Sequence, residues 1–301
     1  MACHAILYTE SMATIDRKLS RADARILHEA AQRGKTYLLW PADRAWLDQI
    51  EGVGEPLTRL HRMKDSGSLA KLARGRWLVM PMGASTLEQA APAKVLLAGF
   101  FEGRADWYLG YLSALVDHGL TDIDSGEVHV GVRVADKGRR WPSQHQIGSL
   151  HVRLVSITRD DNWAGVERER VQGRTFAFRS DVARTLLDTL DHPEHCGPPD
   201  VWVRAWERAM REERVSVETL IEYSEGRSAA VRARLSYWLR QTGQVRPARR
   251  VLRELGAPLK GRRLLDPSRA FGEGSWPRDR ETGLIANMDE RAVDGWLGYG
   301  K

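Results

Sequence analysis

Thr58, Arg59, Arg62, Lys64, Lys71, Arg74 and Arg76 lie within twenty residues of one another and carry the chemistry that a polyanion would meet. Guanidinium and ammonium groups pair with phosphates. An arginine fork or a hydroxyl presented on a helix also hydrogen-bonds base edges in a duplex groove. Such groups act together only if short elements hold them on one surface, and the local sequence supplies those elements. Pro56 suits the first position of a helix, where a missing N–H costs nothing. Leu57, Leu60 and Met63 then fall on one side, with Thr58, Arg59 and Arg62 directed away. Ser66-Gly67 makes a turn. Leu69-Ala-Lys-Leu72 and Trp77-Leu-Val-Met80 flank Ala73-Arg-Gly-Arg76, so a two-strand ribbon is expected with Arg74 and Arg76 at its tip.

The preceding residues complete a small domain. Ser20 and Asp23 have capping-box spacing, Leu27, Ala30 and Ala31 give an inward stripe, and Gly34 ends the helix. Tyr37 to Trp40 reads as a short strand. Pro41 opens a second helix carrying Ala45, Trp46, Leu47 and Ile50, and Gly52 and Gly54 form the turn before Pro56. This is the outline of a winged helix-turn-helix over residues 17–82, behind a loose arm at 1–16. Charge agrees with it. Residues 17–82 hold 13 Lys/Arg against 7 Asp/Glu, an excess equal to the +6 of the whole chain, which leaves 33 of each sign elsewhere. A face of that sign suits duplex DNA, because each neutralised phosphate releases counterions.

The 301-residue chain is 42% hydrophobic and 29% charged, the composition of a globular protein with a real core. The longest apolar stretch, about Val95 to Phe101, is too short to cross a bilayer, and no secretory signal pattern opens the chain. Cys3 and Cys196 are the only cysteines, which argues against a disulfide framework. A cytoplasmic location is expected.

Residues 83–301 are expected to form one larger unit, a small antiparallel sheet with helices, so that the whole chain is α+β. Helices are expected at 92–101 and 106–118. Glu127 to Val134 alternates with four valines on one face, and Leu150, Val152 and Leu154 repeat the alternation beyond a turn containing Lys137, Arg139 and Arg140. The simplest pairing of the two is antiparallel. Phe176 and Phe178 mark a further strand. Five helices then follow, built on Val182–Leu190, Trp202–Met210, Val217–Ile221, Val231–Leu239 and Val251–Leu255, before an irregular Gly/Arg/Asp-rich tail.

Four constellations invite an enzymatic reading and do not sustain it. Asp122-Ile-Asp124 has the carboxylate spacing of a nucleotidyltransferase metal site, but no Gly-Ser turn lies shortly upstream and the pair precedes a strand. Asp16-Arg17-Lys18 is the sole acidic-x-Lys match to a nuclease motif, and it sits ahead of the first helix. His192, His195 and Cys196 suit zinc by type, without a fourth ligand at convincing spacing. Ser113, Asp117 and His118 crowd one helix end, which is not triad geometry. No catalytic residue, metal or cofactor is assigned.

Taken together the blocks resemble a known family. Tyr111-Leu-Ser-Ala-Leu-Val-Asp-His-Gly-Leu-Thr-Asp122 resembles the helix and turn that follow the winged helix in AbiEi-family antitoxins. Arg184-Thr-Leu-Leu-Asp-Thr-Leu-Asp-His-Pro-Glu-His-Cys-Gly197, Arg234-Leu-Ser-Tyr-Trp-Leu-Arg-Gln-Thr-Gly243, and Leu265-Asp-Pro-Ser268 with Ala286-Asn287 are similar to its later blocks, in the same order. Gly197-Pro-Pro199 stands where two glycines are usual. The resemblance implies a bipartite antitoxin, a monomer in solution or a dimer on DNA. Its winged helix would bind inverted repeats in its own promoter, and its C-terminal domain would counteract a nucleotidyltransferase-like toxin. The seven residues named at the outset are the DNA-contact candidates. A winged helix that binds protein instead of DNA is the principal alternative, and a metal-dependent nuclease a remote one.

Overall fold

The computed structural model describes residues 19–123, 126–134, 142–157, 163–173, 175–269 and 276–298. The expected arm, Asp16-Arg17-Lys18, Asp124 and the turn with Lys137, Arg139 and Arg140 lie outside them. The chain divides into two units, residues 1–100 with 171–175, and residues 101–170 with 176–301. Helices and strands are mixed in both.

In the first unit, Ser20 and Asp23 close a full capping box on α1 (Arg21–Gln32). β1 (Tyr37–Leu39), α2 (Arg44–Leu47) and α3 (Pro56–Asp65) follow, then β2 (Leu69–Ala73) and β3 (Arg76–Val79). The strands form an antiparallel sheet in the order β1-β3-β2, with Leu38 opposite Trp77 and Leu69 opposite Val79. Ile26 of α1, Leu47 of α2, Leu60 and Met63 of α3, and Leu69 and Trp77 of the sheet share one core. The turn between β2 and β3 requires glycine. Gly75 has φ +71, and a Cβ there would stand 2.7 Å from the Trp40 carbonyl oxygen, while the Trp40 N–H donates to the Gly75 carbonyl.

This unit runs to Phe100, beyond the expected boundary at 82, through α4 (Leu87–Ala90) and α5 (Ala93–Phe100). α5 is buried from Val95 onward, the Tyr37 hydroxyl donates to the Val95 carbonyl, and Gly99 leaves no room for a side chain beside Tyr37 and Leu72. A helix that apolar cannot be left facing water.

The second unit corrects two expectations. Residues 106–118 are not one helix. β4 (Trp107–Leu109) pairs antiparallel with β5 (Glu127–Arg133) before α6 (Tyr111–Asp117) begins. Buried on both faces, a central three-residue strand has no alternation to distinguish it from helix. Nor are the valine strands antiparallel. β6 (Gln144–Ile147) forms the hairpin with β7 (Leu150–Ile157), and β5 runs parallel to β7 on its other edge, Val130 opposite Leu154. With β8 (Val166–Gln172) and β9 (Thr175–Ser180) the order is β6-β7-β5-β4-β9-β8.

The expected helical run follows as α7 (Val182–Asp191), α8 (Pro199–Arg211), α9 (Val217–Ser224), α10 (Ala229–Gln241) and α11 (Val245–Leu255). The tail is more ordered than expected. Leu264 bridges to Ile285, and α12 (Glu290–Trp296) packs on α8. α11 buries Ala248 and Val251, while Arg246, Arg249, Arg250 and Arg253 are exposed on the opposite side. Trp202, Trp206 and Trp238 lie in the helical core. No described helix is long and apolar enough to cross a membrane.

α7 is buried from Ala183 to Leu190. Its polar side chains are therefore paired. The Tyr108 hydroxyl donates to Asp188 Oδ2 at 2.9 Å and accepts from Arg184 Nη2 at 3.1 Å. Arg184 Nη1 donates to the Ala164 carbonyl, and Arg227 Nη2 donates to Asp188 Oδ1 at 2.9 Å. The Arg184 guanidinium also lies 4.5 Å from the Tyr108 ring centroid. Burial beside this carboxylate pushes the Tyr108 phenol far up, so it stays a donor. Asp188→Ala leaves the buried Arg184 without its carboxylate and Arg227 with Asp191 alone, and is expected to cost about 3–5 kcal/mol in urea unfolding. Tyr108→Phe is expected to cost about 1–3 kcal/mol.

Candidate nucleic-acid interface

α3 begins under a side-chain cap. Glu55 accepts from the Thr58 N–H at 2.6 Å, which holds its carboxyl below the usual range. Leu60 and Met63 are wholly buried. The opposite side of the helix exposes Thr58, His61, Arg62 and Asp65. Positions 58, 61, 62 and 65 are one stripe at helical spacing.

The seven candidates do not behave alike. Thr58 is exposed, as is Arg62, whose side chain has no hydrogen-bond or ionic partner among the described residues. Lys64 is exposed and pairs with its neighbour Asp65 at 2.8 Å, a contact water screens readily. Lys71 on β2 and Arg74 at the ribbon turn are exposed, without side-chain partners among the described residues.

Two arginines depart from the expectation. Arg59 lies 2.7 Å from Asp23 Oδ1 and donates to Ser20 Oγ, and its side chain is only 17% exposed. It ties α3 to the cap of α1 instead of facing a ligand. Arg76 donates to the Phe100 carbonyl at the end of α5 and is half-buried. The cause is the same for both. Each lies against the end of another helix, which offers its acceptors.

The residue that sequence reasoning passed over is His61. Its ring stands edge-on to the buried Trp77 of β3, with centroids 5.7 Å apart at 88°. Selection by charge discarded it, although its spacing from Thr58 and Asp65 already placed it on the outward stripe.

No protein-family model matches the chain, and no curated protein matches it. Among solved structures it is similar to the crystal structure of the RV2827C protein from Mycobacterium tuberculosis. The two share 18% identity with a TM-score of 0.66, over 95% of this chain and 97% of that one. At that identity the likeness is one of fold.

The remaining constellations are dispersed in packing. Ser113 Oγ accepts from the His129 N–H, the His118 ring meets the Ser180 carbonyl at 2.8 Å, and Asp117 pairs with Arg179. Asp122 is exposed on the loop after α6. The Cys196 thiol is buried and pushed well up by burial, and His192 meets Glu194 at 3.2 Å. Among the described residues no group of three His, Cys, Asp or Glu is arranged to hold a metal. His129 faces His195 with ring centroids 6.0 Å apart, and burial, with that second imidazole beside it, pushes its pKa down to about 4.

Two expectations follow. Arg59→Ala should lower the stability of the first unit by about 1–3 kcal/mol, whereas Arg62→Ala should leave it within about 0.5 kcal/mol; thermal melts of both variants check this. Because the folded chain holds His129 neutral, protonation favours unfolding. Its contribution is complete above about pH 6.5 and is lost as the pH falls through about 4. His129→Gln should flatten that part of a stability–pH profile.

Proposed function

We propose that the first unit is a winged helix-turn-helix that docks on duplex DNA, with α3 as its reading helix and the β2–β3 ribbon as its wing. One observation carries the reading. Arg62 is an uncompensated guanidinium on the outward stripe of a capped helix, beside a ribbon that exposes Lys71 and Arg74. An exposed arginine with no internal partner is free to fork onto a guanine edge or a phosphate, and the two ribbon cations suit the flanking backbone. The excess of positive charge in residues 17–82 supports the same reading.

The order of helix, strand, two helices and ribbon also supports it, as does the run of blocks similar to AbiEi-family antitoxins across the second unit. On that basis the chain is an antitoxin that represses its own operon and counteracts a nucleotidyltransferase-like toxin. The DNA-contact set is narrowed to Thr58, Arg62, Lys64, Lys71 and Arg74. Arg59 and Arg76 act in packing.

The test is binding of the full chain to the duplex upstream of its own reading frame, across a salt series. Arg62→Ala, Lys71→Ala and Arg74→Ala should each weaken binding and lower the slope of log affinity against log salt by about 0.9. The triple variant should lose repression and still suppress the toxin encoded next to it. Binding that ignores salt would mark the unit as a protein-docking module instead.

A further inference from the structure

We infer that His61 is a base-reading residue, and that α3 reads a purine through an imidazole N–H at that position. The inference rests on the DNA-binding reading of α3 and adds to it the chemistry of one contact.

Three observations carry it. His61 occupies the centre of the outward stripe, between Thr58 and Asp65 and next to Arg62, so any duplex met by Arg62 is also met by His61. It is exposed, so its ring is open to a partner. Its ring is also oriented, because it stands edge-on to Trp77, which is itself 1% exposed and fixed in the core. Long basic side chains such as Lys64 and Lys71 lose much rotamer freedom when they bind, and suit phosphates. A ring held by packing loses little, and can discriminate.

The chemistry selects the base. A neutral imidazole has one N–H donor, and in the major groove purines present N7 as an acceptor at every position, guanine adding O6. Arg62 beside it suits guanine. The stripe therefore fits a short purine step in which Arg62 forks onto guanine and His61 donates to the N7 of the adjacent purine. The Asp65 carboxylate, next along the stripe, disfavours phosphate there and keeps this part of the helix directed at bases.

The experiment uses the full chain and the upstream duplex, or the best duplex recovered from a randomised pool. Each purine is replaced in turn by its 7-deaza analogue, which lacks only the N7 acceptor. Apart from the guanine onto which Arg62 forks, which also presents its N7, the wild-type chain should lose about tenfold in affinity at one position, with the salt slope unchanged. His61→Ala should bind the natural duplex about tenfold more weakly and show no further loss at that position. His61→Gln, which keeps a donor, should recover part of the loss. Unchanged thermal melts for both variants would exclude a packing effect through Trp77.

Penalties of equal size in wild type and His61→Ala at every 7-deaza position would overturn the inference and leave DNA binding by α3 intact. So would a His61→Ala loss spread evenly over all duplexes. Failure of the wild-type chain to bind any duplex at low salt would overturn the underlying reading as well.

Discussion

The second unit is organised around one carboxylate. α7 is enclosed on all sides, a position that only an apolar helix could occupy cheaply, yet it carries Arg184, Thr185, Asp188 and Thr189. Asp188 makes this possible by receiving the Tyr108 hydroxyl on one oxygen and Arg227 on the other. Arg184 then completes the set from the same helix, and Thr189 accepts the Trp206 indole N–H. β4, α7 and the turn after α9 are thereby fixed to one another by directional contacts, not by area alone. A network of this kind contributes less to net stability than to the choice of a single arrangement, because any shift leaves a buried charge unmatched.

The first unit applies a similar constraint on a smaller scale. Asp23 is part of a capping box, and the same carboxylate receives Arg59 from α3. The contact sets the angle at which α3 meets α1, and so determines which of its residues face outward. Arg59 and Arg62 have the same chemistry and lie three positions apart. One has become a strut and the other remains available, solely because of where α1 ends.

That distinction marks the limit of what could be read in advance. The capping box, the proline start of α3, the ribbon around Gly75 and the five helices from Val182 onward were all legible, because caps, turns and helical spacing are local signals. Tyr108 was not. It lies in a three-residue strand enclosed on both faces, where apolar content gives no period, and its partners are 76 and 80 positions away. The parallel pairing of β5 with β7 was hidden for a related reason, since β6 presents only Gln, His and Gln before Ile147 and so lacks a strand's usual apolar alternation. At the candidate site, residue type singled out Arg62 and Arg74, which the structure exposes, together with Arg59 and Arg76, which it packs, and passed over the exposed His61. Exposure, which decides availability, is a property of the packed unit.

α11 has a consequence of a different kind. Its four arginines project from about one-third of the helix circumference, and Glu254, shared between Arg232 and Arg250, is the sole acidic side chain on that helix. Guanidiniums three and four residues apart repel, each pair by a few tenths of a kcal/mol. Mobile ions relieve that repulsion as the Debye length contracts. Ionic strength therefore acts on this helix with two signs: it eases the repulsion among the four arginines and weakens the pairs that Arg232 and Arg250 make with Glu254.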